Sequence, residues 1–306
     1  MALDYNELDA HVRDKYIPVL QDQYYQSTPL TALLMAKSKV TYNSGKQIDQ
    51  PVLYGELPSG WYNGLDTFDI STVEETTLAK FDWKQFYVNV TIDGTTMLKV
   101  EGDEKILSIV ETKMENASKT FNKQLNEGMF TTGGAKALKT LSEGIATSGT
   151  YGEINKATNT WWQGNVNSTG GAFSMDMLQT EYGNCSDGQI HPDLIITTQA
   201  IYNKIWARVQ PVQRGNLDNT PGLAGIGFTG INFNQATIVV DNYCPSGYIY
   251  LLNTDFWKMV VHSKRDMFWT DKKVPLNQDA YVRQLLWAGA LFTVAPRWNG
   301  YISSVS

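Results

Sequence analysis

The chain has 306 residues, of which 42% are hydrophobic and 18% are charged, and its formal net charge is −6 at pH 7. This composition indicates an ordered globular protein with a sizeable core and excludes a disordered chain. The acidic balance, without a cluster of Lys and Arg, argues against a protein that grips nucleic-acid phosphates. The first residues lack the features of a signal peptide, and no apolar run reaches the roughly 18 residues of a membrane span.

The first third of the chain is dominated by strand and turn patterns. Residues 1–40 predict an extended arm with short helices, which Pro18 and Pro29 interrupt. Residues 40–54 and 78–92 predict two strands, and the segment between them is rich in Gly, Pro and Asn, as turns are. The simplest arrangement is one long two-stranded hairpin with an irregular tip. Because an isolated hairpin is marginal in water, we expect it to lean on another surface.

The strongest helix signal covers residues 103–127. Apolar side chains recur there every three or four residues and form one stripe: Ile106, Val110, Met114, Ala117, Phe121 and Leu125. Gly128 is expected to end the helix as a C′ residue. The pattern lasts about three heptads without extension, which favours a helix packed on the core of its own chain over a coiled coil.

The second half of the chain mixes helices and strands. Residues 131–172 predict a loop-rich insertion with at most one short strand. Ser174 is expected to cap one helix, and Thr198 a second helix with Ile201, Ile205 and Trp206 on one face. A short buried strand at residues 193–197 lies between them, and after a glycine-rich loop at residues 215–230 the chain is nearly all strand.

No constellation of residues predicts enzyme chemistry. The G-x-G-x-x-G pattern lies between a polar loop and a strand, whereas a dinucleotide site needs it between a strand and a helix; its glycines are Gly225, Gly227 and Gly230. The histidines form no metal-ligand motif: His11, His191 and His262. Cys185 and Cys244 are expected to be free, buried thiols, with a disulfide between them as the alternative. We therefore expect no catalytic, cofactor-binding or metal-binding residue.

The expected hairpin tip allows further interpretations. Its carboxylates would suit a glycosidase only as a pair within a cleft, and on a turn-rich tip they are expected to be solvated: Asp66, Asp69, Glu74 and Glu75. The aromatic residues Trp61, Tyr62 and Phe68, and the pair Trp161 and Trp162, suit either a carbohydrate-binding surface or a protein interface. The residues alone leave that choice open.

In their order, these segments resemble the major capsid proteins of tailed bacteriophages. TPLTALLMAK resembles the N-terminal arm of that family, and TTMLKVEGDEKILSIVETKMENASKTFNKQLNEGMFTTG resembles its spine helix and the following turn. HPDLIITTQAIYNKI resembles the strand and helix of the family's A-domain, and YIYLLNTDFWKMVVH its return toward the P-domain. The resemblance covers most of the chain.

The resemblance implies an α+β, HK97-type capsid fold with five parts. These are an N-terminal arm (1–40), an E-loop hairpin (41–98), a P-domain (99–184) with the spine helix at 103–127, an A-domain (185–250), and a strand-rich return to both domains (251–306). It also implies a structural, non-enzymatic protein that assembles into pentamers and hexamers. Those would form an icosahedral head around double-stranded DNA, in a virion assembled in the bacterial host cytoplasm. Trp61, Tyr62 and Phe68 would then be subunit-interface residues of the E-loop tip.

Two features of the family bear on partners. Some members carry an extra scaffolding segment, which this sequence lacks, so a separate scaffolding protein is expected, with a portal and a decoration protein as further partners. Some members cross-link subunits through an E-loop lysine, but no pattern singles out Lys46, Lys80 or Lys84 for that role. The alternatives to a phage capsid protein are an encapsulin-type nanocompartment shell, with the same fold, and a carbohydrate-binding β module.

Overall fold

A computed structural model describes residues 28–95, 103–209 and 231–306, with side chains in the long helix described from residue 112 onward. The first elements are α1 (Pro29–Lys37), β1 (Lys39–Tyr42), β2 (Ile48–Leu53), β3 (Thr76–Phe81), β4 (Lys84–Asp93) and α2 (Asp103–Phe130). They are followed by α3 (Leu141–Ile145), β5 (Thr150–Tyr151), β6 (Ile154–Asn155), β7 (Asn165–Asn167), α4 (Met175–Asn184), β8 (Leu194–Thr197) and α5 (Gln199–Val209). The last are β9 (Ile231–Phe233), β10 (Ala236–Val240), β11 (Ile249–Leu252), β12 (Trp257–His262), β13 (Phe268–Trp269), β14 (Ala280–Thr293) and β15 (Gly300–Ile302). Single 3₁₀ turns cover Thr160–Trp162, Ser263–Arg265 and Pro296–Trp298.

The first sheet is organised around β14. One edge of β14 pairs antiparallel with β4 along the whole of β4, from Asp93 opposite Ala280 to Lys84 opposite Gly289. The other edge pairs with β12 and β13, and β1 adds to β12 in parallel. Leu285, Trp287 and Leu291 point into the main core, while Ala290 and Phe292 point to the opposite face. This alternation is what a strand covered on both faces requires.

The second sheet has the order β7-β15-β11-β8-β10-β9 in the described residues. Its central strand β8 is buried at every position. Ile195 faces a core that includes α4 and α5, and Leu194 and Ile196 face the core that includes α1 and α2. The sheet is therefore sandwiched between two helical layers, and together the two sheets make the α+β architecture expected from the sequence.

The long helix α2 lies across the first sheet. The ring of Phe121 is fully buried, with its centroid 5.8 Å from that of Phe86 on β4 and 6.2 Å from that of Trp287 on β14. The helix ends at Phe130, so the expected end at residue 127 with Gly128 as C′ is wrong. Met129 and Phe130 are buried in the main core, and their burial favours continuing the helix through the glycine.

The expected single long hairpin is also wrong in its pairing. Only β2 and β3 pair with each other, with Ile48 opposite Phe81 and Leu53 opposite Thr76. β1 and β4, which continue the two segments, belong to the first sheet. Strand alternation predicts that a segment is extended but not which partner it takes, and β14 offers β4 a longer and more apolar edge. We call residues 48–81 the hairpin and residues 54–75 its tip.

The second-half elements follow the sequence closely, with two differences. Ser174 Oγ accepts from the Met177 amide at 3.1 Å and caps α4 as predicted. Trp206 is 41% exposed, so it does not share the buried face of Ile201 and Ile205 on α5. Residues 131–172 contain three short strands and α3, more structure than the loop-rich insertion predicted. Glycine and asparagine there shape tight turns between short, well-buried elements.

A buried polar contact joins three parts of the fold. The Asn126 side chain on α2 donates to both carboxylate oxygens of Asp241, at 2.9 and 3.0 Å, and accepts from Thr31 Oγ1 on α1 at 2.9 Å. Burial raises the pKa of Asp241 above its ordinary value. Since a buried polar group without partners is costly, this set fixes α1 and α2 against the end of β10.

Candidate assembly surface

The base of the hairpin is anchored in a core of its own. Ile48, Ala79 and Phe81 are buried in a cluster with residues of β12, β14 and the segment that follows α3. The Phe81 ring stacks on that of Phe292 and meets that of Tyr151 edge-on. The amide of Lys80 donates to the carbonyl of Gly152 at 3.0 Å. The hairpin is therefore held in a defined direction by aromatic packing at its base.

The hairpin tip, in contrast, exposes its apolar side chains. Trp61 is fully exposed at 105% of its reference area, and Tyr62 and Phe68 are also exposed. The last two rings contact each other edge to face at a centroid distance of 5.1 Å. The same segment exposes further aliphatic side chains: Leu57, Leu65, Ile70 and Val73. These exposed apolar side chains make the tip a candidate interaction surface.

The two other candidate aromatic residues lie elsewhere and do not extend this surface. Trp162 is buried, and its Nε1 donates to the carbonyl of Tyr151 at 2.9 Å. Trp161 is half-buried and stacks on Tyr54 at 4.6 Å, where the hairpin passes into its tip. Both residues support the hairpin, so the structure does not join them with Trp61 in one platform.

Every charged residue between Lys46 and Lys80 is acidic: Asp49, Glu56, Asp66, Asp69, Glu74 and Glu75. Asp66 accepts from the Asn63 amide at 2.8 Å and Asp69 from the Ser71 amide at 2.9 Å. The Ser71 hydrogen bonds lower the pKa of Asp69 below its ordinary value. These carboxylates accept hydrogen bonds that stabilise local turns. In the described part of the chain they do not form a pair within a cleft, which a glycosidase would need. The tip is both apolar and strongly acidic.

The three lysines of the hairpin region have separate surroundings. Lys46 is exposed, Lys80 lies 3.5 Å from a carboxylate oxygen of Glu153, and Lys84 Nζ donates to the carbonyl of Ala135 at 2.8 Å. The Lys84 contact ties the start of β4 to the loop after α2. None of these contacts identifies a cross-linking partner.

The expected stripe on α2 is described only in part. Phe121 and Leu125 are buried, and Met114 is half-buried with its sulfur 3.6 Å from Nη1 of Arg283. The side chains of Ile106 and Val110 lie outside the described part, as do residues 1–27, His11 and the glycines at 225, 227 and 230.

Two features of the structure were not predicted from the sequence. A cavity of about 360 Å³ opens between the last turns of α2, the start of β4 and the loop of residues 131–138. Lys156 is fully buried, and its Nζ donates to the carbonyls of Glu143, Gly144 and Ala146 at 3.0, 2.6 and 2.9 Å. Both depend on segments that meet only in the folded chain, so spacing along the sequence does not predict them.

The remaining expectations from the sequence concern the cysteines, the side chains that could ligate a metal, and the helices. Cys185 and Cys244 are free and buried, and burial raises the pKa of the Cys185 thiol to about 12. Within the described residues, no three His, Cys, Asp or Glu side chains are grouped so that they could hold a metal ion. Across the same residues, no helix has both the length and the apolar character needed to cross a membrane.

No protein-family model and no curated protein matches the sequence. Solved structures do match its fold. A subunit of the cyanophage A-1(L) capsid has a TM-score of 0.71 and 16% identity, with 99% of each chain covered. A subunit of the capsid of a native GTA particle has a TM-score of 0.65 and 10% identity, with 96% of this chain and 98% of that one covered. The SrpI encapsulin of Synechococcus elongatus has a TM-score of 0.64 and 9% identity, with 100% and 97% covered.

Proposed function

From the HK97-type capsid fold, which the sequence predicted and the solved structures confirm, we propose that this chain is the major capsid protein of a tailed bacteriophage. It assembles with copies of itself into pentamers and hexamers, which form an icosahedral head around double-stranded DNA. The observation that carries the proposal is the similarity to the cyanophage A-1(L) capsid subunit along 99% of both chains.

The exposed hairpin tip supports assembly independently of that similarity. Its base is fixed by buried aromatic residues, while Trp61, Tyr62 and Phe68 at its end contact no core. In a monomer these side chains would remain in water, whereas burying each against a neighbour stabilises the contact by roughly 1.5 to 3 kcal/mol. The proposed interface residues of the E-loop are therefore these three.

The parts of the capsid fold are assigned to the observed elements. The hairpin is the E-loop, α2 is the spine helix, the first sheet with α2 forms the P-domain, and the second sheet with α4 and α5 forms the A-domain. The proposed boundaries need refinement. Within residues 41–98, β4 pairs with β14 in the first sheet. Within residues 99–184, β7 pairs with β15 in the second sheet and α4 packs against that sheet. The chain thus passes between the two domains more often than the five segments suggest.

The proposed role is structural and not enzymatic. The acidic chain encloses DNA without reading its sequence, since a protein that reads DNA presents a basic surface to the phosphates. A separate scaffolding protein directs assembly in the host cytoplasm, and a portal and a decoration protein complete the virion. These partners follow from the family resemblance, and co-purification from infected cells tests each of them.

An encapsulin-type nanocompartment is the second candidate, favoured by the SrpI encapsulin similarity along 100% of this chain. The two candidates differ in what the shell contains. Particles isolated from the natural source hold double-stranded DNA if the chain is a phage capsid protein. They hold a folded cargo protein and little nucleic acid if it is a compartment shell.

Electron microscopy of the purified protein tests the shared part of both candidates. We expect rings, tubes or closed shells, either from the protein alone or with a phage scaffolding protein. A monomer that persists at high concentration under both conditions contradicts the proposal.

A further inference from the structure

The cavity between the last turns of α2, the start of β4 and the loop of residues 131–138 has the size of a small-molecule site. Its volume is about 360 Å³, within the range of about 300 to 1,000 Å³ into which ligand pockets fall. Gly128 lies in the wall that α2 forms, and a Cβ atom placed on it would meet no atom within 4 Å. The space beside the helix is therefore open because this wall residue has no side chain.

One wall of the cavity contains a buried hydrogen-bond donor that is not used. Trp287 on β14 lines the cavity and is only 2% exposed. Its indole Nε1 has no hydrogen-bond partner among the described residues. Because Nε1 is already removed from water in the free protein, a ligand atom that accepts from it relieves a cost that the fold otherwise carries.

The unpaired indole donor and a lysine belong to the same end of the cavity. A Cβ atom placed on Gly289 would meet Cζ2 of Trp287 at 2.5 Å, so the indole edge formed by Cζ2 and the adjoining Nε1 leans over Gly289. Gly289 pairs with Lys84 on β4, and Phe86 pairs with Trp287. Lys84 and Phe86 point to one face of the strand, because side chains alternate along it. That face is the one that packs on the main core with Trp287.

The other walls suit an apolar molecule with a negative charge. Among the described residues that line the cavity, Lys84 and Lys136 are basic and Glu127 is acidic. The ammonium of Lys84 donates to the Ala135 carbonyl at 2.8 Å, which uses one of its three protons. Lys84 can therefore hold the loop and an anion at the same time. Apolar side chains come from all three segments around the cavity: Phe86, Leu125 and Leu138.

We infer that this cavity binds a small organic carboxylate with an apolar body. The carboxylate accepts from Trp287 Nε1 and from the Lys84 ammonium, and the apolar body lies against Phe86 and Leu125 in the space beside Gly128. A cation of the same shape is repelled by the lysines and cannot accept from the indole. A medium-chain fatty acid and a fused-ring aromatic acid share this chemistry. The site is complete within one subunit, so binding does not depend on assembly.

Isothermal titration calorimetry of the purified full chain tests the site with two acids, decanoate and 2-naphthoate. Decyltrimethylammonium is the control ligand, because it matches the chain of decanoate and carries the opposite charge. We expect saturable binding of at least one acid, and binding of the cation that is weaker by about tenfold or more. The hairpin tip carries only carboxylates among its charged residues and would favour the cation, so this order of affinities identifies the cavity. The tighter acid shows whether the site selects a chain or a ring.

Two substitutions test which residues hold the acid. Gly128→Leu fills the cavity, and Lys84→Met removes the ammonium but keeps most of the side-chain volume. Each should weaken binding of the acid about tenfold or more, which corresponds to about 1.4 kcal/mol. Gly183→Leu is the matched control, because Gly183 is also a helical glycine on which a Cβ atom would meet no atom within 4 Å. It should bind like the wild type, and circular dichroism should show all three variants folded.

The outcomes decide the site without involving the capsid role. Binding of an acid by the wild type that both Gly128→Leu and Lys84→Met lose supports it. Failure of both acids to bind, equal affinity for the cation, or wild-type affinity in either folded variant overturns it. The comparison of acid and cation uses only the wild type, so it is decisive even where a variant does not fold.

Discussion

The ring of Phe81 lies parallel to that of Phe292, with centroids 4.2 Å apart and an interplanar angle of 10°. Phe81 ends the hairpin and Phe292 is near the end of β14, so this stack joins the hairpin to the first sheet. Both rings are buried, and stacked aromatic pairs add stability beyond the area that they bury. The direction of the hairpin therefore depends on packing in the core and not on its own two strands.

Phe81→Ala should destabilise the monomer, because it leaves a cavity beneath the hairpin base. We expect the free energy of unfolding to fall by about 3 kcal/mol, measured by urea denaturation. Phe68→Ala on the exposed tip is the matched control and should change stability by about 0.5 kcal/mol at most. Equal effects of the two substitutions would show that the base is not anchored as described.

A second prediction concerns the face of α2. Phe121→Asp places a carboxylate among Phe86 and Trp287, where it has no partner, and should cost several kcal/mol and prevent soluble folding. Thr112→Asp, at an exposed position of the same helix, should remain folded with a melting temperature near that of the wild type. A soluble Phe121→Asp variant with an unchanged melting temperature would mean that this face is not the core face.

Local signals in the sequence account for much of the fold. The helix α2, the Ser174 cap and the buried run of β8 each depend on residues close in sequence, and each is where the pattern placed it. In the described part of α2, Ala117, Phe121 and Leu125 are buried as the stripe predicts. The order of elements was enough to predict the capsid fold. The predictions of the strand pairing in the hairpin and of the end of α2 were wrong, because these features depend on contacts with β14 and with the main core.

The candidate site was predictable to the same extent. Trp61, Tyr62 and Phe68 are apolar residues in a turn-rich segment, so their exposure follows from local composition. The separation of Trp161 and Trp162 from them depends on where the hairpin base packs, which no spacing in the sequence encodes. The cavity between α2, the start of β4 and the loop of residues 131–138 was not predictable either. Its walls come from residues 84–86, residues 124–138 and Trp287, which are far apart in sequence.

The buried ammonium of Lys156 gives a prediction about pH. Its three carbonyl acceptors favour the charged form, but burial opposes it and lowers the pKa of Lys156 from 10.5 to about 7. The folded protein therefore binds fewer protons than the unfolded chain between these two values, so this group adds stability as pH rises from 7 toward 10. The contribution is lost as pH falls back through 7.

Lys156→Met isolates that contribution, because it removes the titrating group and keeps most of the side-chain volume. It should also destabilise the protein at every pH, since three buried carbonyls lose their donor. We expect the difference in unfolding free energy between wild type and variant to increase from pH 7 to pH 10 in urea titrations. A difference independent of pH in this range would contradict the lowered pKa.

The last prediction separates a shell subunit from a carbohydrate-binding module. Replacing residues 57–70 with a short Gly-Ser turn removes Trp61, Tyr62 and Phe68 and leaves the paired strands β2 and β3 intact. Because these side chains contact no core, secondary structure and melting temperature should stay close to those of the wild type. Assembly should be lost, because the aromatic contacts between copies are gone.

Circular dichroism measures whether the variant keeps its secondary structure, and electron microscopy of the same preparation measures whether it assembles. A matched control replaces residues 271–278, an exposed loop on the first sheet, with a Gly-Ser turn of the same kind. Normal shells from the hairpin variant would remove the proposed interface role of the tip. Unfolding of that variant alone would instead place residues 57–70 in the core, because a solvated segment has no packing to lose.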